Sequence, residues 1–220
     1  MRCWRCESTY EPEQTEDRFF CRDCGVIQPV EPGLSHFELL GFDAPACDGD
    51  ALRERALILA RRLHPDRFST ATEEERRISL VDSSAVHDAE RCLADPERRA
   101  RYWLELRDDG LSKGDKSVDP ALAAELFEVQ EMLADLRAGV RAGGRDAELV
   151  AAIDARRASL DERRRAAIDE AVALMDQWPS GDDAPARARL KERIAYAAYL
   201  GTVLRDIEDS ESASWRESVA

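Results

Sequence analysis

The chain has 220 residues, 44% of them hydrophobic and 35% charged, with a formal net charge of −14. Such a length holds one large or two modest domains, and such a composition describes a helix-rich globular chain with an acidic, solvated surface. The acidic excess argues against generic nucleic-acid binding, which depends on Lys and Arg neutralising phosphates, and no apolar run approaches the ~20 residues that cross a bilayer. The opening residues Met1-Arg2-Cys3-Trp4 contain neither the apolar core of a signal peptide nor an Arg/Ser-rich transit segment, so a bacterial cytoplasm is the expected location.

Residues 1–32 form the first unit of the pattern. Cys3 and Cys6 make one CxxC, Cys21 and Cys24 a second, with fourteen residues between them. Each CxxC turn brings two thiols to one side, and a polar hairpin of that length lets both pairs reach one tetrahedral ion at ~2.3 Å. Gly25 suits a tight turn just after the last cysteine. Disulfides fit poorly with a cytoplasmic chain, and a thioredoxin-like dithiol would need a βαβ context that is absent. Zinc is therefore expected, with iron a chemical alternative. Four thiolates leave no open position, so the metal is expected to be structural in a head too small to fold on apolar burial alone. Cys47 lacks a neighbouring ligand at metal spacing, Cys92 lies on the buried stripe of its helix as a small core residue, and His36 and His87 read as surface or helix-packing histidines.

The next segment, residues 33–107, centres on an amphipathic helix with Asp50 as its expected N-cap and an apolar stripe of Leu52, Ala56, Leu59, Ala60 and Leu63. It ends at His64-Pro65-Asp66. A second helix opens at Thr72 with Glu75 three residues on as a capping box, and Ile78, Ala85, Ala89, Cys92 and Leu93 are its expected buried stripe. Pro65 fixes its own φ and restricts His64, so the tripeptide presents an imidazole and a carboxylate in a set geometry, and Asp66 can accept a bidentate Arg from a partner. A lone tripeptide means little, but two such helices meeting at this one resemble the J-domain. In J-domain proteins the loop stimulates ATP hydrolysis by a DnaK-type chaperone, and the resemblance implies that role for His64, Pro65 and Asp66. Arg55, Arg61, Arg62 and Arg67 are the cations expected to join them in chaperone docking. The chain has no GxxxxGK[ST] and no GxGxxG, so the ATP should belong to the partner.

Residues 108–118 read as a linker and 119–208 as a helical bundle. Asp119 and Pro120 offer an N-cap and a Pro at the first helical position. Leu122, Leu126, Val129, Leu133, Leu136 and Val140 then recur at spacings of three and four. The stretch from Gly139 to Gly144 reads as an interhelical turn. Two more helices, about 146–178 and 186–208, carry stripes through Leu149, Ile153, Leu160, Ala167, Ala171 and Leu174, and through Leu190, Ile194, Ala197 and Leu204. Three helices joined by short turns predict an antiparallel bundle. Phe127 lies off its helix's stripe, as do Tyr196 and Tyr199, and an exposed Phe invites a partner. The Ser/Glu-rich end, 209–220, is expected to be disordered.

The expected fold class is therefore all-α: a J-domain helical hairpin and an antiparallel three-helix bundle behind a small four-cysteine, zinc-ribbon-like head. With His64-Pro65-Asp66-Arg67-Phe68, Tyr102-Trp103-Leu104 in the fourth J-domain helix and no Gly/Phe-rich linker, the chain resembles the HscB family of J-type co-chaperones of iron–sulfur cluster assembly over nearly its whole length. The Cys3-Trp4-Arg5-Cys6 and Arg18-Phe19-Phe20-Cys21 motifs resemble the zinc-binding extension of its eukaryotic members. The resemblance implies a non-enzymatic adaptor that stimulates the ATPase of a DnaK/HscA-type chaperone and brings it an IscU-type iron–sulfur scaffold. Membrane and nucleic acid are not expected partners. The positions implied for scaffold binding are Ala123, Ala124, Phe127, Glu128, Glu131 and Tyr196. Ala123 and Ala124 are smaller than the Leu and Met usual there, and Leu57 and Ile58 replace polar residues common on the chaperone-facing helix. A J-protein with another client, or a zinc-ribbon nucleic-acid module fused to a J-domain, are the alternatives.

Overall fold

In a computed structural model that describes residues 1–42, 45–107, 109–111, 120–142, 144, 146–178 and 183–219, a head with a single 3-10 turn, Thr15–Arg18, precedes seven α-helices, and no strand longer than an isolated bridge forms among the described residues. The helices are α1 (His36–Leu40), α2 (Gly49–Leu63), α3 (Glu73–Ala94), α4 (Pro96–Glu105), α5 (Pro120–Arg141), α6 (Ala147–Asp176) and α7 (Ala184–Val219). By its contacts the chain divides into two compact units, Met1–Asp108 with Met175–Ser180, and Asp109–Leu174 with Gly181–Ala220.

In the first unit α3 packs against α1, α2 and α4. The short α1 carries no long apolar period and escapes the sequence pattern; a reciprocal cap defines it, with Ser35 Oγ accepting from the Glu38 amide at 3.2 Å and the Glu38 carboxylate from the Ser35 amide at 2.8 Å. Phe37, Leu39 and Leu40 fill the core beneath it. The N-cap of α2 is Asp48 rather than Asp50: its Oδ1 accepts from the amides of Asp50 (2.8 Å) and Ala51 (2.9 Å), which places Asp50 inside the first turn. Thr72 and Glu75 form the expected capping box of α3. The buried face of α3 is broader and more polar than its apolar stripe, because Ser79, Asp82 and Ser83 are buried with Ile78, Val86, Ala89 and Leu93, while Ala85 and Cys92 are only half-buried. Ser79 Oγ donates to the Leu63 carbonyl at 2.6 Å and so satisfies the last turn of α2. On α4 the Tyr102 hydroxyl accepts from the His36 amide at 3.0 Å. Trp103 packs edge-on against Phe37 and against Trp178, both at 5.7 Å between centroids.

The second unit is the bundle. Leu122, Leu126, Val129, Leu133 and Leu136 of α5 meet Ile153 and Leu160 of α6 and Leu200, Val203, Leu204 and Ile207 of α7 in one buried cluster, with Val140 and Leu149 partly buried at its margin. The seam read from sequence is the core. Leu174 is half-buried, and its neighbour Met175 is the buried residue. Asp119, the expected N-cap of α5, and most of the expected linker lie outside the described residues. Helix α7 differs from the disordered end expected from composition, since it runs on to Val219. Ile207 and Ser210 are buried, with Ser210 donating to the Asp206 carbonyl at 2.6 Å and accepting from Arg137.

Candidate functional site

The structure contains three candidate sites: the four-thiol head and the turn after α2 in the first unit, and the outer face of α5 in the second. In the head two small hairpins repeat one geometry. Cys3 and Cys21 each open a turn in which the amide four residues on donates back to their carbonyl, Glu7 to Cys3 at 3.1 Å and Gly25 to Cys21 at 2.9 Å. The residue after each second cysteine is left-handed, Glu7 at φ 62 and Gly25 at φ 70. Bridges from Arg2 to Thr9 and from Phe20 to Ile27 close the two hairpins. All four Sγ atoms lie within 4.8 Å of one another, with Cys3 to Cys24 and Cys6 to Cys21 both at 3.7 Å. A tetrahedron of sulfurs ~2.3 Å from a central ion has edges of ~3.8 Å, so the arrangement fits a four-thiolate metal site. The cysteines are all free thiols, so the disulfide alternative is not what the structure contains.

Groups around the thiols support this use. The amides of Arg5 and Cys6 donate to Cys3 Sγ at 3.4 Å, and Gln28 Nε2 does so at the same distance. The Trp4 indole donates to the Ile27 carbonyl at 2.7 Å and ties the hairpins together. Burial opposes ionisation of Cys21, yet the amides of Cys24 and Asp23 and the Ser8 hydroxyl donate to its sulfur and bring the thiol down to about 6. The Val26 amide favours a thiolate at Cys24, but burial and the neighbouring thiols push it up to about 12. Thiolates this close repel one another, and a cation supplies the missing positive charge. Sequence spacing found the four cysteines that cluster here; Ser8, Gln28 and Trp4 carry no spacing signal and were invisible to it.

At the end of α2, His64 adopts an extended ψ of 129°, as the following proline requires, and Pro65 opens a single 3-10 turn, Pro65–Phe68. His64 Nδ1 accepts from the Asp66 amide at 3.2 Å. The Asp66 carboxylate is 91% exposed, 3.6 Å from that imidazole. Of the expected cations, Arg61 and Arg67 are exposed and make no ion pair among the described residues. Arg62 lies over the Phe20 ring of the head, 4.4 Å from its centroid. Arg55 is also exposed, with its guanidinium bonded to the carbonyls of Gly41 and, at 3.3 Å, Leu40, and lying over Phe42. Leu57 and Ile58 are exposed on the same helix.

On α5, Phe127 is 66% exposed, with Ala123, Ala124, Glu128 and Glu131 also on the surface. Glu128 pairs with Arg156 at 3.2 Å. Tyr196 differs from the others because it packs partly into the bundle core, and its hydroxyl accepts from Arg163 Nε (3.0 Å) and Nη2 (2.9 Å) while Arg163 also pairs with Glu125 at 2.7 Å. It reaches α5 through that network.

A helical hairpin that closes on an exposed His-Pro-Asp turn is a J-domain, and the class of protein is a J-domain co-chaperone. No family model matches the chain. It is 33% identical over 136 residues to the human iron-sulfur cluster co-chaperone protein HscB, a match covering 61% of this chain and 57% of the human protein. It is 34% identical over 182 residues to the co-chaperone protein HscB homolog of Shewanella sp. (strain ANA-3), covering 80% of this chain and 98% of that one. The chain belongs to the HscB co-chaperone family. The crystal structure of human HscB has the same fold, with a TM-score of 0.74 at 24% identity, over 96% of this chain and 98% of that one. No described helix is long and apolar enough to cross a membrane.

Proposed function

We propose that the chain is an adaptor which stimulates the ATPase of a DnaK/HscA-type chaperone and delivers to it an IscU-type iron–sulfur scaffold. The observation that carries the reading is the pairing of an exposed His64-Pro65-Asp66 turn on one unit with an exposed Phe127 on the other. The name of the human relative ties that protein to iron–sulfur clusters. Asp66 accepts a guanidinium of the chaperone in a bidentate pair, while Arg61 and Arg67 supply cations for carboxylates beside it. Pro65 and the Nδ1 bond keep His64 and Asp66 in one geometry before the partner arrives, which lowers the ordering cost of docking. The chain itself performs no reaction; ATP is bound and hydrolysed by the partner. Phe127 anchors the scaffold, with Glu128 and Glu131 as its polar rim and Tyr196 supporting α5 from behind. Zinc on Cys3, Cys6, Cys21 and Cys24 supplies structural crosslinking of the head, with iron as the alternative occupant, and the cytoplasm is the compartment.

Calorimetric titration of an IscU-type scaffold tests the client half. Specific saturable binding is expected, with Phe127→Ala losing about 2 kcal/mol or more, as a hot-spot aromatic does. Undiminished binding by that variant would remove α5 from the interface. Binding of DNA or RNA that weakens steeply with salt would instead favour a nucleic-acid module.

A further inference from the structure

The head and the docking hairpin touch within one compact unit. Phe20 is bridged to Ile27 and is followed directly by the ligand Cys21, so the second cysteine hairpin fixes its backbone. Over its ring lies Arg62, two residues before His64. The Arg62 guanidinium makes no hydrogen bond and no ion pair among the described residues. Stacking on an aromatic face uses the flat surface of a guanidinium and leaves its in-plane N–H donors free. Two more ties hold head and hairpin together. Arg5, inside the first CxxC, is 3.8 Å from Glu75, the carboxylate of the α3 capping box. The Val30 amide donates to buried Asp82 of α3 at 3.4 Å.

We propose that the head positions the docking surface through Phe20, which presents Arg62 to a carboxylate of the ATPase partner only while the four thiolates hold a metal. The inference rests on the docking reading of His64, Pro65 and Asp66. The small apolar cluster of the head, Cys3, Cys21 and Val26 with Tyr10 against it, includes two of the ligands, so metal loss releases the hairpin that carries Phe20. Arg62 then recovers its rotamers and must be ordered again on docking. Asp66 is untouched, so the loss falls on affinity and not on the maximal stimulated rate. Phe20 is in this sense a positioning residue.

The test uses the full chain, zinc-loaded and after chelation, with Phe20→Leu, Arg62→Gln and the double variant. The first readout is the Arg62 side-chain resonance by NMR, which a ring at this distance shifts upfield. The second is the half-saturating concentration for stimulating single-turnover ATP hydrolysis by a DnaK-type chaperone. The expected result is an upfield Arg62 signal in the loaded protein, lost on chelation and in Phe20→Leu. Half-saturation rises about two- to fivefold in each single variant and on chelation, at unchanged maximal rate, and the double variant is no worse than either single one. An Arg62 signal indifferent to chelation, or single-variant effects that multiply, would overturn the proposal. Arg62→Gln is an exposed change that does not depend on the head folding, and normal half-saturation in that variant would overturn it too. Absence of stimulation even by the unmodified chain would strike the docking reading itself, and the resonance would still decide whether the metal keeps Arg62 on Phe20.

Discussion

Single residues hold much of what the sequence pattern could not show. Asp82 is buried with one carboxylate oxygen on the Val30 amide and the other without a hydrogen-bond partner. Burial raises it from the usual carboxylate range to about 6, with the Val30 bond and Arg77 pulling the other way. An unfolded Asp titrates near 3.9, so between about pH 4 and pH 6 the folded chain binds more protons than the unfolded one, and stability falls as pH rises through that window. Asp82→Asn keeps an acceptor for Val30 and removes the charge. It is expected to stabilise the first unit by about 1–2 kcal/mol at pH 7 and by nothing below pH 4, read from thermal unfolding across pH. A fixed gain at every pH would refute the assignment. Glu7, left-handed at φ 62, is a second case. Its ion pair with Arg2 is largely exposed and worth little, so Glu7→Gly should slow metal release to a chelator by stabilising the turn about 0.5–1 kcal/mol. Neither position was legible, because a left-handed φ at a glutamate and a desolvated carboxylate on a helix have no compositional trace.

Periodicity served the elements well and failed where polar groups are buried. The α5 seam from Leu122 to Leu136 was readable because every member is apolar and meets another apolar residue. On α3 the same reasoning selected Ala85 and Cys92 and passed over Ser79, Asp82 and Ser83, since the burial of Ser79 and Asp82 comes with hydrogen bonds to groups on other segments. Ser79 is the instructive one: it bonds the Leu63 carbonyl, one residue before the His-Pro-Asp turn. Ser79→Ala leaves that carbonyl without its buried donor and is expected to cost about 1–2 kcal/mol of stability, whereas exposed Ser84→Ala should cost nothing measurable in denaturant unfolding. The head behaves as an element of its own. It contains no α-helix, so stripping the metal should alter the fluorescence of Trp4, whose indole spans the two hairpins, while far-UV circular dichroism keeps its helical signal. Binding displaces thiol protons, among them that of Cys24, held up near 12, so metal affinity should rise with pH. An unchanged Trp4 signal would mean that the head folds without a cation.

At the scale of the whole molecule two compact units carry different surfaces: an exposed, preorganised His64-Pro65-Asp66 turn on one, and Phe127 on the other. Their joint presence on one chain is what the proposed adaptor role requires. Motif and family resemblance were legible from sequence because the tripeptide and the two CxxC pairs are local and chemically demanding. The bonds of Arg55 to the Leu40 and Gly41 carbonyls, and the stacking of Arg62 on Phe20, needed three-dimensional neighbours from distant segments. The most direct measurement is single-turnover ATP hydrolysis by a DnaK/HscA-type chaperone, with the chain, with an IscU-type scaffold, and with both. The account predicts stimulation by the pair well beyond the sum of each alone, abolished by Asp66→Asn and reduced to the level without scaffold by Phe127→Ala. Stimulation that ignores the scaffold, or that survives Asp66→Asn, would contradict it.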